Sequence, residues 1–196
     1  METNIEVESA NGVREVSIYT HHLMKRHVYI SGEINQQSAD EFLAKLQFLE
    51  EEPDKPVLLM INSQGGEVNA GLAMYDLLQA TPLTVYTYCY GRAASMAAIL
   101  LAGGQKGRRF ILPNSEVMIH EPLIAGGLGG SATSIHNLSE SILKTRDKMN
   151  GILAKHTGKS ILEINTATSF DHYMSAGEAV QFGICDAVRE RPVMEE

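Results

Sequence analysis

The segment Gly91-Arg92-Ala93-Ala94-Ser95-Met96-Ala97-Ala98 constrains this chain more than any other stretch. It follows Leu83 to Tyr90, a run rich in β-branched and aromatic residues that reads as a buried strand. It leads into Met96 to Leu101, which is apolar and rich in helix formers. A chain that turns from strand to helix through glycine and alanine leaves Ser95 at a helix N-terminus. There the first amides lack intrahelical acceptors and the dipole favours negative charge. An acyl-transfer nucleophile suits that position, with its oxyanion held by neighbouring amides. Taken alone, such a serine is more often an ordinary helix-start residue. The weight therefore falls on whether a base and an orienting acid occur elsewhere.

Two segments provide them. Pro113 to Pro122 is a short apolar strand that ends in His120 between turn residues, and Ser169 to Ser175 places Asp171 just before another helix. A third segment, Met60-Ile61-Asn62-Ser63-Gln64-Gly65-Gly66, ends a strand in a glycine pair that lets backbone approach a ligand closely.

Around these segments the chain alternates strand and helix. Ile18 to Lys25 reads as a short helix and His27 to Ile30 as a strand. The next helix is capped by Asn35 or Ser38, with Ser38 and Glu41 spaced as a capping box. It carries Phe42, Leu43, Leu46 and Leu49 on one face and stops before Pro53. Val57 to Ile61 is continuously apolar, as expected of a strand covered on both faces. Helix Asn69 to Gln79 and strand Thr84 to Tyr90 follow, so βαβ units with right-handed crossovers are expected. Arg108 to Leu112 and Glu116 to Ile119 read as short strands. A long helix from Ser131 to Thr157 carries an apolar stripe of Ile135, Leu138, Ile142, Met149, Ile152 and Leu153, with Gly158 as its cap. Ser160 with Glu163 and Ser175 with Glu178 are two further capping boxes. Gly183 closes the last helix before a strand at Ile184 to Val188.

Composition narrows the partners. The chain has 196 residues, a single-domain length, and 24 acids against 16 bases give a net charge of −8. An acidic surface is not drawn to nucleic acid or anionic lipid. Cys89 and Cys185 lie far apart in apolar contexts and read as buried thiols, with a bridge between them left open. Met1 to Ala10 is polar and acidic, unlike a secretory signal, and Asn11-Gly12 is a turn signal. Ala93 to Gly104 is shorter than the about 20 residues a membrane span needs. A cytoplasmic protein is expected.

Together the segments around Gly66, Ser95, His120 and Asp171 resemble the ClpP family of self-compartmentalising serine peptidases, in family order and spacing from about Ile18 to Arg189. The resemblance implies an α/β fold, a ClpP/crotonase-like spiral of repeated ββα units with a protruding handle. Residues 1–17 would form a flexible axial-loop segment, 18–190 the peptidase domain with its handle at about 122–157, and 191–196 a tail. It implies a catalytic triad of Ser95, His120 and Asp171, with the backbone amides of Gly66 and Met96 as oxyanion hole. Gly127, Leu128 and Gly129 would offer a strip for substrate peptide. No metal or organic cofactor is implied, ATP being used by a separate AAA+ unfoldase of the ClpX or ClpA/ClpC type. Heptameric rings, two of them stacked, would enclose the site and admit unfolded polypeptide. Two other classes fit parts of the pattern: a ring subunit that needs a sister subunit for activity, and a crotonase-like acyl-CoA enzyme. The chain departs from the family at Gln64, which stands where proline is usual. It departs again at Leu58 and Met60, in place of aromatic residues that help grip the unfoldase. Ser169-Phe170 replaces an acid–arginine pair that bridges opposing rings.

Overall fold

A computed structural model describes residues 3–9, 12–124 and 129–194. Strands β1 (Asn4–Ser9) and β2 (Gly12–Ser17) pair antiparallel as a sheet of their own, Asn4 opposite Ser17. Of the turn expected at Asn11-Gly12, Asn11 lies outside the described residues, and Gly12 opens β2 opposite Ser9. Ser17 then caps α1 (Ile18–Met24), its hydroxyl accepting from the Thr20 amide.

The main sheet is built by strand–helix alternation. In order come β3 (His27–Ile34), α2 (Gln36–Leu49), β4 (Val57–Gly66), α3 (Val68–Ala80), β5 (Val85–Ala94) and α4 (Met96–Ala102). Then follow β6 (Arg109–Ile111), β7 (Glu116–Ile119), α5 (Ala132–Thr157), α6 (Ile161–Thr168), β8 (His172–Ser175), α7 (Ala176–Phe182) and β9 (Ala187–Val188). The strands run β3-β4-β5-β6-β9, all parallel; β7 joins β5 in parallel and β8 pairs antiparallel with β7. This is the expected α/β architecture.

Strand periodicity divides the sheet into two faces. Val57, Leu59 and Ile61 of β4 face the main core with α2, α3 and α4, while Leu58 and Met60 face a second cluster with Tyr86, Tyr88 and Phe110. Every residue of α4 is buried, so this short helix is the centre of the core and its N-terminus is rigidly placed. On α2, Phe42, Leu46 and Leu49 are buried as expected, but Leu43 is exposed. The cap is Asn35 in a reciprocal box with Ser38, not the Ser38–Glu41 pair: Asn35 Oδ1 accepts from the Ser38 amide and Ser38 Oγ from the Asn35 amide.

Several strands differ from the expectation, β3 running on to Ile34 among them. Strand β4 runs on to Gly66 because its end pairs with Glu33 and Ile34 of β3, and β5 runs on to Ala94 because it changes neighbour: Thr87 to Cys89 pair with β6, and Arg92 to Ala94 pair with β7. Ser115 Oγ pins the changeover by accepting from the Gly91 amide at 2.8 Å. Strand β8 intervenes between Asp171 and α7. The last strand is only Ala187–Val188, the stretch before it being the turn after α7. Helix α5 begins and ends as expected, capped by Ser131 and by left-handed Gly158 (φ 77°). Its stripe is buried only in the second half, at Met149 and Leu153, while Ile135 and Leu138 are both 41% exposed. The expected boxes Ser160–Glu163 and Ser175–Glu178 both form. Cys89 and Cys185 are buried and free, and burial pushes the Cys89 thiol up to about 12. Among the described residues no helix is long and apolar enough to cross a membrane.

Candidate active site

Ser95 stands at the junction of β5 and α4 in a conformation that costs energy. Its φ of 55° and ψ of −122° lie where a side chain is disfavoured, and only Arg26 shares a positive φ among the described non-glycine residues. The backbone holds it there from both sides. Its amide donates to Met118 O at 2.9 Å, continuing the β5–β7 ladder, and its carbonyl accepts from the Ala98 and Ile99 amides in the first turn of α4. The hydroxyl makes no cap bond to the helix, although Ser95 is the N-cap residue. It lies instead 2.9 Å from Nε2 of His120. A strained strand-to-helix turn that frees a serine hydroxyl is a recurrent way to present a nucleophile.

Glycine makes room for the turn. Gly65 has φ 89°, and a Cβ there would come within 2.7 Å of Ala94 O and of Ser95 Cβ, and 3.0 Å from Met96 N. The end of β4 is thereby pressed against the Ser95–Met96 peptide. The Gly65 amide is already committed to Ser63 Oγ at 3.0 Å. Met96 is the first residue of α4, where amides have no intrahelical acceptor. Of the pair named from sequence, Met96 thus lies against Gly65, while Gly66 itself packs against the Ile34 backbone of β3.

His120 follows β7 directly, and its side chain is 14% exposed. The next residue ties it to α6: the Glu121 amide donates to Thr168 O at 2.8 Å. Asp171 lies before β8, whose antiparallel pairing sets Ile119 opposite His172 and so brings the acid to the base. Asp171 Oδ1 is 3.6 Å from His120 Nδ1, longer than a hydrogen bond, and the Asp171 side chain is 58% exposed. The three residues singled out from sequence thus converge, the first pair tightly and the second loosely. Of the predicted substrate strip, Gly127 and Leu128 lie outside the described residues, and Gly129 is exposed ahead of α5.

A buried polar group behind the site escaped the sequence reading. Asn150 of α5 is 1% exposed. Its Nδ2 donates to Asn165 Oδ1 at 2.8 Å and to Thr168 Oγ1 at 3.2 Å. Thr168, also 1% exposed, returns its hydroxyl to Asn150 Oδ1 or to Ile164 O. Since Thr168 O receives the Glu121 amide, this network fixes the end of α6 against the residue next to the base. The available signal was an asparagine beside Met149 within an apolar stripe, a place where a polar side chain requires partners.

Comparison with known families agrees with this geometry. The Clp protease family, whose members are peptidases that assemble into rings and work with ATPase partners, has a profile that matches residues 10–192. A match over nearly the whole length settles the question of kinship: the chain belongs to the Clp protease family.

Proposed function

We propose that the chain is the proteolytic subunit of an ATP-dependent Clp-type protease and works as a serine endopeptidase on unfolded polypeptide. The 2.9 Å separation of Ser95 Oγ and His120 Nε2 carries the reading. In the mechanism, His120 takes the Ser95 proton as Oγ bonds to the scissile carbonyl carbon. The resulting oxyanion accepts from the Gly66 and Met96 amides, each such donor contributing about 3 kcal/mol to the transition state. Collapse expels the amine, which leaves with the proton held on His120. Water then attacks the acyl-serine with His120 again as base, releasing the acid and restoring Ser95. Asp171 holds the Nδ1–H tautomer, and its 3.6 Å contact shortens in the substrate complex. None of these steps requires a metal or an organic cofactor.

Substrate would lie extended along the Gly127 to Gly129 strip, held by main-chain hydrogen bonds that are largely indifferent to side chains. Heptameric rings, stacked in pairs in the cytoplasm, would enclose the sites, with ATP spent by a separate AAA+ unfoldase. The test is fluorophosphonate labelling with peptide mapping. Label on Ser95 is expected, and Ser95→Ala should abolish labelling and peptide hydrolysis while leaving assembly intact. Asp171→Asn should assemble yet lose activity by roughly 10²-fold or more, through the wrong imidazole tautomer. Label that persists in Ser95→Ala, or full turnover in Asp171→Asn, rejects the assignment.

A further inference from the structure

Beside the candidate triad lies an open cavity of about 480 Å³, walled in part by His120, Glu121, Leu123, Thr168, Phe170 and Asp171. Most polar side chains on its wall are engaged. His120 is set between Ser95 and Asp171, and the Thr168 hydroxyl bonds Ile164 O or Asn150 Oδ1. Ser169, also on the wall, donates its hydroxyl to Thr166 O at 2.8 Å. Glu121 is the exception. Its amide donates to Thr168 O, which fixes the backbone, yet among the described residues its carboxylate has neither a hydrogen bond nor an ion pair. The residue is half-buried. No lysine or arginine among the described residues lines the cavity.

A carboxylate that gives up part of its hydration with no counter-charge is a cost to the fold. The fold does not need that charge: the amide bond to Thr168 would form with any residue except proline. The charge therefore acts on whatever enters the cavity, and Asp171 in the same wall adds to the negative potential there. The remaining wall suits an aliphatic stem, because Leu123 and Phe170 are largely exposed. Lysine and arginine lay their methylenes on apolar surface while the charged head reaches a polar group, and an aromatic face attracts the cation as well. Position matters as much as chemistry. His120 passes the proton between Ser95 and the leaving amine, so a cavity walled by His120 lies within a side chain's reach of the scissile bond.

We propose that Glu121 is a specificity-determining residue, which takes the ammonium or guanidinium of a substrate lysine or arginine flanking the scissile bond. This rests on the peptidase reading and goes beyond it: main-chain pairing holds the substrate without regard to sequence, and Glu121 adds a preference for a basic residue at one position. Glu121 touches the substrate side chain and takes no part in bond cleavage.

The experiment uses internally quenched peptides with a single cleavage site, mapped by mass spectrometry, and varies each of the two flanking residues in turn. Lysine is compared with norleucine, which keeps the aliphatic stem and lacks the charge. At one of the two positions the full-length protein should prefer lysine by roughly fivefold in kcat/KM, mainly through KM. Glu121→Gln should bring that ratio close to one, and Glu121→Arg should turn the preference toward glutamate. A ratio taken within each variant is insensitive to a general loss of activity. In the unmodified protein, raising salt to about 0.5 M should lower the ratio, since screening acts on the charged peptide and not on its norleucine counterpart. No lysine preference at either position, or a preference that survives in Glu121→Gln, overturns the proposal. Fluorophosphonate labelling of Ser95 tests the peptidase reading separately. If no peptide is cleaved, anisotropy of the same peptides on Ser95→Ala decides: tighter binding of the lysine peptide that Glu121→Gln removes is expected, and equal affinities reject the role of Glu121.

Discussion

Replacing Asn150 by alanine separates the stability of the fold from the alignment of the site. Asn150 is 1% exposed and its amide donates to Asn165 and Thr168. The Thr168 hydroxyl has one proton, shared between Asn150 Oδ1 at 3.3 Å and Ile164 O at 3.0 Å, so it keeps a partner in the variant. Asn165 is exposed and turns to water. The loss is therefore two net hydrogen bonds at about 1 kcal/mol each, plus a small cavity, or about 2–3 kcal/mol in all. The catalytic effect has a different route. Thr168 O anchors the Glu121 amide, and a slack α6 terminus widens a His120–Asp171 contact that already stands at 3.6 Å. Displacements well below 1 Å then cost on the order of tenfold in kcat with KM little changed. Urea unfolding gives the first quantity, and fluorogenic-peptide kinetics far below the unfolding midpoint give the second. Full kcat in a variant destabilised as expected makes Asn150 a packing residue only. Unchanged stability denies the network itself.

Three other outcomes are expected. Gly65→Ala places a Cβ 2.7 Å from Ala94 O and Ser95 Cβ at a φ of 89°, so peptidase activity should fall by roughly 10²-fold or more, measured as kcat beside an unfolding curve. Normal kcat would mean that β4 is not seated against Ser95 as described. For His156, burial first, then Lys155 and Arg109, lowers the pKa to about 4 from an ordinary 6.5. The unfolded chain therefore binds the extra proton between these values, and stability is full above pH 6.5 and declines as pH falls toward 4. The whole shift corresponds to about 3 kcal/mol, and solvent screening of a half-buried ring reduces it to about 1–2 kcal/mol. His156→Gln should flatten that part of the urea midpoint–pH profile, and an unaltered slope assigns the titration elsewhere. Phe170 is 84% exposed in the single chain, and burying such a ring in an assembly would contribute about 2 kcal/mol per copy. Sedimentation velocity should show a wild-type assembly that tolerates high salt and a Phe170→Ala assembly that shifts to smaller species; salt-induced splitting with an intact Phe170→Ala assembly points to an ionic contact.

What could be read from the sequence was what is decided locally. The boxes at Ser160–Glu163 and Ser175–Glu178 and the left-handed glycines 158 and 183 each depend on neighbours within one turn, and each stands where the residues place it. The candidate nucleophile and base were legible because each follows directly on an apolar strand. Tertiary pairing was not legible in the same way. Nothing near Gly91 announces that β5 will leave β6 for β7, and nothing near Asp171 announces a strand at His172, since both rest on hydrogen bonds to residues more than 20 positions away. Asn35 displaced Ser38 as cap because two asparagine-to-serine bonds close the box one turn earlier than Glu41 would.

The half of α5 that stays uncovered connects these observations. Ile135 and Leu138 follow the same helical period as Met149 and Leu153, yet each is 41% exposed in the single chain. Leu162 of α6 is 76% exposed, and Phe170 lines the same open groove, next in sequence to Asp171. Apolar residues held at core periodicity on a surface belong to a contact that the chain makes with something else. For a family that works as rings, another subunit is the natural cover. Burying Phe170 would withdraw water from Asp171, whose side chain is 58% exposed, and would strengthen its attraction to His120. Assembly and alignment of the acid would then be one event, and an apolar side chain where the family carries a charged pair would make that event depend on burial and little on salt.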